Sequence, residues 1–586
     1  MAEAPRESQD LTGIDAKDVG PIKPATDKFD ASSQKFCPDF VDGDWKSFYD
    51  FLPDKDEPLL YAMDKRAPLT YKAMKEFLIK PELDVPGLAR TDRLCTAFPS
   101  SAEMAVCFLA YSLRCTFAPL NMMIKPEEFE FEFDDLPAKG LIVMHKDHLK
   151  GDEEVKATGT AVAAARKKKL TIILQLIPDA DTVGLFTIEK HAAGKPLKGD
   201  TIGPPLESIT RDCMALVLHT SGTTKKPKIV PILHESIAIG AKCHACADLM
   251  DETDVFVNYM PMFHIAGLIE NFLTAIFSGT RFVAIRGQFQ PHIFYNAIMA
   301  EPYPTAYSAV PVHNLTLMQH AAEIEKMDGT KFENHIRIIR NDSAALVPSL
   351  AMQMEEQIDA IVMPAYSMTE SNPISSNPRY GARKLKSVGP TVGPAMKLFE
   401  AWPSNTEVKT GEEGEVAVSG ACVMKGYEMR DHMDKDPNIE TFTDGFMRSG
   451  DKGWVDSDGY LYLIGRFKEL INRAGEKISP FIVEDAVRRH EAVKDVLCFS
   501  APHELFGEAV GVVCTVEDGK ELTLAGLREW LTGRGILLAQ WCPEVLCIMP
   551  SIPKGPTGKP ARINLAKRLE LEKLTGELKE FNHPGL

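Results

Sequence analysis

Residues 215–230 read ALVLHTSGTTKKPKIV. The apolar run Ala215–Leu218 has the length of a buried strand, and it ends abruptly in Thr220, Ser221, Gly222, Thr223 and Thr224, with Lys228 following behind a proline. Hydroxyls, a glycine and ammonium groups at a strand end are what a phosphate-cradling loop needs. Backbone N–H groups and hydroxyls donate to the oxygens, and lysine offsets their charge. The spacing is not GxxxxGK[ST], which disfavours a Walker-type loop. Taken alone, the segment reads equally well as a solvated hydroxyl-rich turn.

Outward from this stretch, apolar segments alternate between helical and strand lengths. Ser101–Cys115 and Ala161–Lys169 read as helices; Thr171–Ile177, Ala215–Leu218 and Val255–Met260 read as strands. Such alternation predicts an α/β fold layered around largely parallel sheets. Glu128–Phe133 (EFEFEF) alternates with period two and predicts a half-buried strand, although Pro126 followed by Glu127 and Glu128 also suits a helix start. Past Arg466 the texture becomes compact, with strands at Val496–Ser500, Val510–Val516 and Val545–Met549. A helix is expected over Leu522–Leu531, and a charged one from Asn564. This layout predicts a disordered extension over 1–43, a large multi-subdomain body over 44–467 and a small α+β domain over 468–586.

Composition narrows the function. The chain has 586 residues, 44% apolar and 25% charged, and 66 basic against 83 acidic side chains give a net charge of −17. A general nucleic-acid or anionic-membrane binder needs a basic footprint, which this balance disfavours. The longest apolar run, Met104–Leu113, is too short to span a bilayer and predicts a core helix. The amino terminus has no secretory layout and the carboxyl terminus no Ser-Lys-Leu tripeptide, so the expectation is a soluble cytoplasmic protein. Cys107, Cys115, Cys498, Cys514 and Cys547 lie in apolar runs and are expected as buried free thiols. Cys243-His244-Ala245-Cys246 lacks a second ligand pair at finger spacing and is expected to be core helix.

Six further blocks follow the hydroxyl-rich loop in order: Met260–Leu268 (MPMFHIAGL), Ala365–Glu370 (AYSMTE), Gly414–Gly420 (GEVAVSG), Met447–Arg466, Phe467–Pro480 (FKELINRAGEKISP) and Pro553–Arg562 (PKGPTGKPAR). With them, the chain resembles the adenylate-forming (AMP-binding) superfamily, most of all its acyl-CoA and oxalate-CoA ligase branch, from about Phe48 to Glu570. The resemblance implies ATP, CoA and Mg²⁺, and a small-molecule carboxylic acid as substrate, with oxalate, medium-chain and aryl acids all candidates. It implies that Thr220, Ser221, Gly222, Thr223, Thr224 and Lys228 hold phosphates, that Tyr366 lies against adenine, and that Thr369 meets a phosphate. Glu370 is the implied metal ligand, Asp451 would accept from the ribose hydroxyls, and Arg466 would stand near ribose and phosphate. Lys559 would bind carboxylate and α-phosphate during adenylation. Lys468 would be the hinge of a mobile C-terminal domain, Gly475 would approach the pantetheine tunnel, and His264 would line the acyl pocket unless it is simply a core histidine.

Departures from the family pattern bear on these expectations. Lys225 and Ile229 stand where the phosphate loop carries glycines; if either position required positive φ, a side chain there would cost ~1 kcal/mol or more. Ser367 replaces another glycine, Ser343-Ala344-Ala345 replaces a glycine-rich segment, and Ala266 stands where oxalate ligases often have a second histidine. Two alternatives therefore accompany the acyl-CoA synthetase expectation: an adenylating enzyme that loads a carrier protein, and a non-catalytic nucleotide-binding regulator.

Overall fold

The computed structural model describes residues 43–192, 206–220, 227–342, 346–554 and 560–586. Most of the expected N-terminal extension, the positions Ser221–Lys226 and Ser343–Ala345, and Lys559 lie outside the described residues.

Two large sheets form the body. One has seven strands in the order Phe186–Lys190, Ile172–Pro178, Ala138–Met144, Arg93–Thr96, Thr116–Pro119, Met214–His219 and Ile229–Leu233, parallel except for the pairs at its two edges. The other has eight, with Val255–Asn258, Arg281–Ala284, Ala306–Ser308, Ile338–Asn341 and Ile361–Met368 among its parallel members. A five-stranded antiparallel sheet follows, including Gly414–Ser419, Phe446–Val455 and Leu461–Arg466. The C-terminal part builds a separate six-stranded mixed sheet, running from Ile471–Arg473 to Lys579–Asn582.

The central helices belong to the core of the body. Ser101 caps the helix Ala102–Ser112 by accepting from Met104 N at 3.3 Å, and every residue of that helix is buried. This is the apolar run expected to be a core helix. Cys243 and His244 lie in the helix Pro-free stretch His234–Asp248, where His244 is fully buried. Among the described residues no helix is long and apolar enough to cross a membrane.

Two local expectations are corrected. EFEFEF is part of a helix, Pro126–Asp135, and not a strand. Pro126 occupies its first turn, the Glu128 carboxylate accepts from Lys125 N at 2.7 Å, and Phe129 and Phe133 stack four residues apart on the buried face. Capping and the i,i+4 pair outweigh the period of two. The charged helix after Asn564 is a single turn, Leu565–Arg568, entered from a left-handed Asn564. Ile229, by contrast, raises no strain: it is buried in a strand opposite His219, outside the left-handed region.

The antiparallel sheet is sewn to the eight-stranded one at Gly389. Val388 N donates to Leu461 O and Leu461 N to Gly389 O, both at 3.0 Å. Gly389 has φ +88°, and a Cβ there would stand 2.1 Å from the Ser376 carbonyl. Both the conformation and the space forbid a side chain. Gly389→Ala is expected to cost about 3 kcal/mol, seen as a lowered denaturant midpoint; an unchanged midpoint would contradict this account.

Candidate active site

The strand Ile361–Met368 carries Tyr366 to its carboxyl end, and the turn after it carries Thr369 and Glu370. Tyr366 is buried, and its hydroxyl donates to Asp451 Oδ2. Asp451 lies within the strand Phe446–Val455, directly opposite Arg466 in the register. Arg466 Nε stands 3.3 Å from Asp451 Oδ1, and Asp451 N donates to Ser449 Oγ at 3.1 Å. A hydrogen bond to an ionised group is worth ~1.5–3 kcal/mol, so the Tyr366–Asp451 bond ties the antiparallel sheet to the parallel one. Burial and the neighbouring Asp451 push the Tyr366 phenol well above its ordinary range. Asp451 in turn holds the Arg466 guanidinium charged.

Glu370 sits on the same side of the assembly, close enough for its charge to act on Arg466. It is buried, and the Tyr427 hydroxyl donates to its Oε1. The Lys228 ammonium lies 4.2 Å from the centre of the Tyr427 ring, a cation–π contact. Tyr427 therefore joins the expected metal ligand to the expected phosphate lysine. Motif spacing gives no notice of it, because its role depends on contact with residues 57 positions upstream and further. Lys228 also closes the hairpin base: Thr220 N donates to Lys228 O at 2.9 Å and Lys228 N to Thr220 Oγ1 at 3.0 Å.

Thr369 and Glu370 also border a cavity of about 10 Å³, shared with Ile265, Ile269, Asn372 and Met424. That is one water's worth of space. Ile265 and Ile269 follow His264, whose ring packs against Phe263 at 4.7 Å. Tyr366, Thr369, Glu370, Asp451, Arg466 and Lys228 thus gather in one region. Lys468 is exposed in the turn that leads from Arg466 into the C-terminal sheet. Gly475 is more distant in role: with Ala474 it forms a tight hairpin turn, both at positive φ, and a Cβ on it would meet open space. Its glycine is required by the turn, not by a close approach in this structure.

Below the site runs a buried polar network. The Arg340 guanidinium, with 2% of its side chain exposed, meets Asp248 at 3.0 Å, Asp342 at 2.6 Å and His244 Nδ1. His244 Nε2 lies 2.6 Å from Asn372 Oδ1, and Asn372 Nδ2 donates to Glu270 at 3.3 Å. Burial and the Arg340 charge keep His244 neutral; burial and Asp342 push the Glu270 carboxyl well above its ordinary range.

The sequence matches the family described as AMP-binding enzyme over residues 83–428, and the AMP-binding enzyme C-terminal domain over 482–559. The chain belongs to the AMP-binding, adenylate-forming family. A protein of Humulus lupulus named "Probable CoA ligase CCL9" is 32% identical over 506 residues, covering 84% of this chain and 90% of its own. An oxalate–CoA ligase of Arabidopsis thaliana is 31% identical over 493 residues, covering 83% and 90%. In three dimensions, ATP-bound MatB from Rhodopseudomonas palustris has the same fold, with a TM-score of 0.74 at 23% identity over 89% of this chain and 98% of that one.

Within this family member the Arg340 network makes a stability prediction. Arg340→Met would leave Asp248 and Asp342 buried without their cation, at a cost of ~3–5 kcal/mol. Chemical denaturation should show it, and a loss below about 1 kcal/mol would mean that the network is not what holds these elements together.

Proposed function

We propose that the protein is an ATP-dependent carboxylate–CoA ligase. In the first step a carboxylate oxygen attacks the α-phosphorus of ATP, the bond to the β-phosphate bridging oxygen breaks, and pyrophosphate leaves. In the second, the CoA thiol gives up its proton, its sulfur attacks the acyl carbonyl, and AMP leaves with the bonding pair. The observation that carries this proposal is Asp451 holding both Arg466 and the Tyr366 hydroxyl, with Tyr427 linking Glu370 to Lys228.

Each group has a task in that scheme. Tyr366 and Arg466 each use one acceptor site of Asp451, and a carboxylate oxygen has two lone pairs, so one site on each oxygen is left for a ribose hydroxyl. The remaining donors of Arg466 suit a phosphate. Thr220, Ser221, Gly222, Thr223, Thr224 and Lys228 would take the β- and γ-phosphates. The hard oxygens of Glu370 fit Mg²⁺, and Tyr427 orients that carboxylate. Bound there, Mg²⁺ would offset charge on the phosphate oxygens. Lys559, brought by the C-terminal domain, would neutralise the carboxylate and α-phosphate while they meet; the domain, from Lys468 onward, would then turn to admit the thiol along Gly475.

For the acid we propose a short one. A relative is named as an oxalate ligase, and that likeness is what supports a short acid. A cytoplasmic location fits the buried free thiols of Cys107, Cys115, Cys498, Cys514 and Cys547.

The test is pyrophosphate release over a panel from oxalate to long-chain and aryl acids, with and without CoA. Short acids are expected to give turnover, with CoA consumed one for one, and Lys559→Ala should lose about 10²–10³-fold in adenylation. Absence of turnover with every acid would favour a nucleotide-binding regulator. Adenylation without CoA consumption would favour loading of a carrier protein.

A further inference from the structure

His219 ends the strand Met214–His219, one residue before the hairpin base formed by Thr220 and Lys228. Only 10% of its side chain is exposed. Its Nε2 lies 2.9 Å from Asp135 Oδ2, and its Nδ1 pairs with Glu132. A neutral imidazole has one N–H, so ionised carboxylates facing both ring nitrogens favour the imidazolium. Both acids come from the helix Pro126–Asp135, with Phe131 of the same helix packed near the ring. From a third segment, Arg430 Nε lies 3.4 Å and His432 Nδ1 3.2 Å from Asp135 Oδ1. The buried thiol of Cys95, on the strand Arg93–Thr96, lies within the field of Glu132. On the other flank, Glu428 N donates to Ile229 O at 3.2 Å and Tyr427 underlies Lys228.

We propose that the His219 imidazolium is a positioning residue for nucleotide binding. It fixes the hairpin base to the helix Pro126–Asp135 and, through Asp135, to the Arg430–His432 segment. Its charge also offsets two carboxylates that would otherwise repel a bound triphosphate. The inference rests on the proposed phosphate-binding role of the 220–228 segment; His219 itself does not touch the nucleotide.

The protonation state supports this role. Burial works against the charged ring, yet the bonds to Asp135 and Glu132 outweigh it and push the pKa up to about 9. The clamp is thus fully charged at neutral pH and is lost as pH rises through about 9. Loss of the proton adds one uncompensated negative charge beside the phosphate segment.

The experiment is titration of the full-length protein with MgATP between pH 7 and 10.5, for wild type, His219→Gln and Asp135→Asn, with circular dichroism melts as folding controls. His219→Gln should weaken MgATP binding about tenfold at pH 7, and the ratio of its Kd to that of wild type should shrink towards one above pH 9 to 10. A purely structural defect would give a ratio independent of pH and would overturn the proposal. Asp135→Asn removes one acceptor, so its loss of affinity should set in at a lower pH than in wild type; an unmoved onset would also overturn it. The Asp135→Asn arm and the wild-type profile decide the matter even if His219→Gln does not fold. Wild-type protein that does not bind MgATP at any pH would instead overturn the ligase proposal itself, and this inference with it.

Discussion

A guanidinium with almost no access to water sets the terms for the body of this molecule. Taking an ion such as Arg340 out of water costs several kcal/mol, and the loss is recovered only where geometry satisfies the charge and its donors. Here Asp248 and His244 come from the helix His234–Asp248, which follows the edge of the seven-stranded sheet, while Arg340 lies in the strand Ile338–Asn341 of the eight-stranded sheet and Asp342 directly follows it. One cation therefore fixes the layers against each other. Hydrocarbon packing alone would tolerate sliding between them; a set of directed bonds does not.

That constraint reaches the candidate site through short steps. Ser367 Oγ lies 3.4 Å from Asp342, next to Tyr366, and Asn372, which closes the other end of the network, borders the cavity beside Glu370. The ends of the parallel strands are where open α/β sheets present backbone and side chains to ligands. Tyr366, Thr369 and Glu370 follow that rule. Asp451 and Arg466 do not: they arrive from an antiparallel sheet that the Tyr366 hydroxyl and the Gly389 crossing hold in place. The site is thus a junction of sheets, and its precision depends on bonds that are distant in sequence.

This explains which parts were legible in the sequence. The strand Met214–His219, the helix Ala102–Ser112 and the long strands of the C-terminal sheet follow from local patterns, and the ordered blocks identify the family. EFEFEF misleads because both a helix and a strand give its phenylalanines apolar neighbours, leaving the decision to Pro126 and Glu128 at its start. Asp451 looks locally like a turn residue; its partner Tyr366 lies 85 positions away. His219, Tyr427 and Arg340 carry no motif, since their significance resides wholly in partners from other elements. Ile229 shows the reverse case: an apparent departure at a glycine position is harmless because the chain there is already a buried strand.

The charge distribution follows the same logic. A chain of net charge −17 cannot hold phosphate by bulk attraction, so it must do so locally. Cations around the site are not simply added: Arg466 is paired with Asp451, Arg430 with Asp135, and His219 with two acids. Such pairing orients the cations and lets them be kept in place without a ligand, at the expense of net attraction. Under the proposed function a nucleotide would match that arrangement, because it brings both kinds of group, hydroxyls for the carboxylate of Asp451 and anionic oxygens for the remaining donors of Arg466. An isolated phosphate would compete with Asp451 for the guanidinium, whereas a nucleoside phosphate can engage both members of the pair at once. In the proposed ligase, selectivity for the nucleotide over free phosphate would then follow from the pairing itself, without any excess of positive charge.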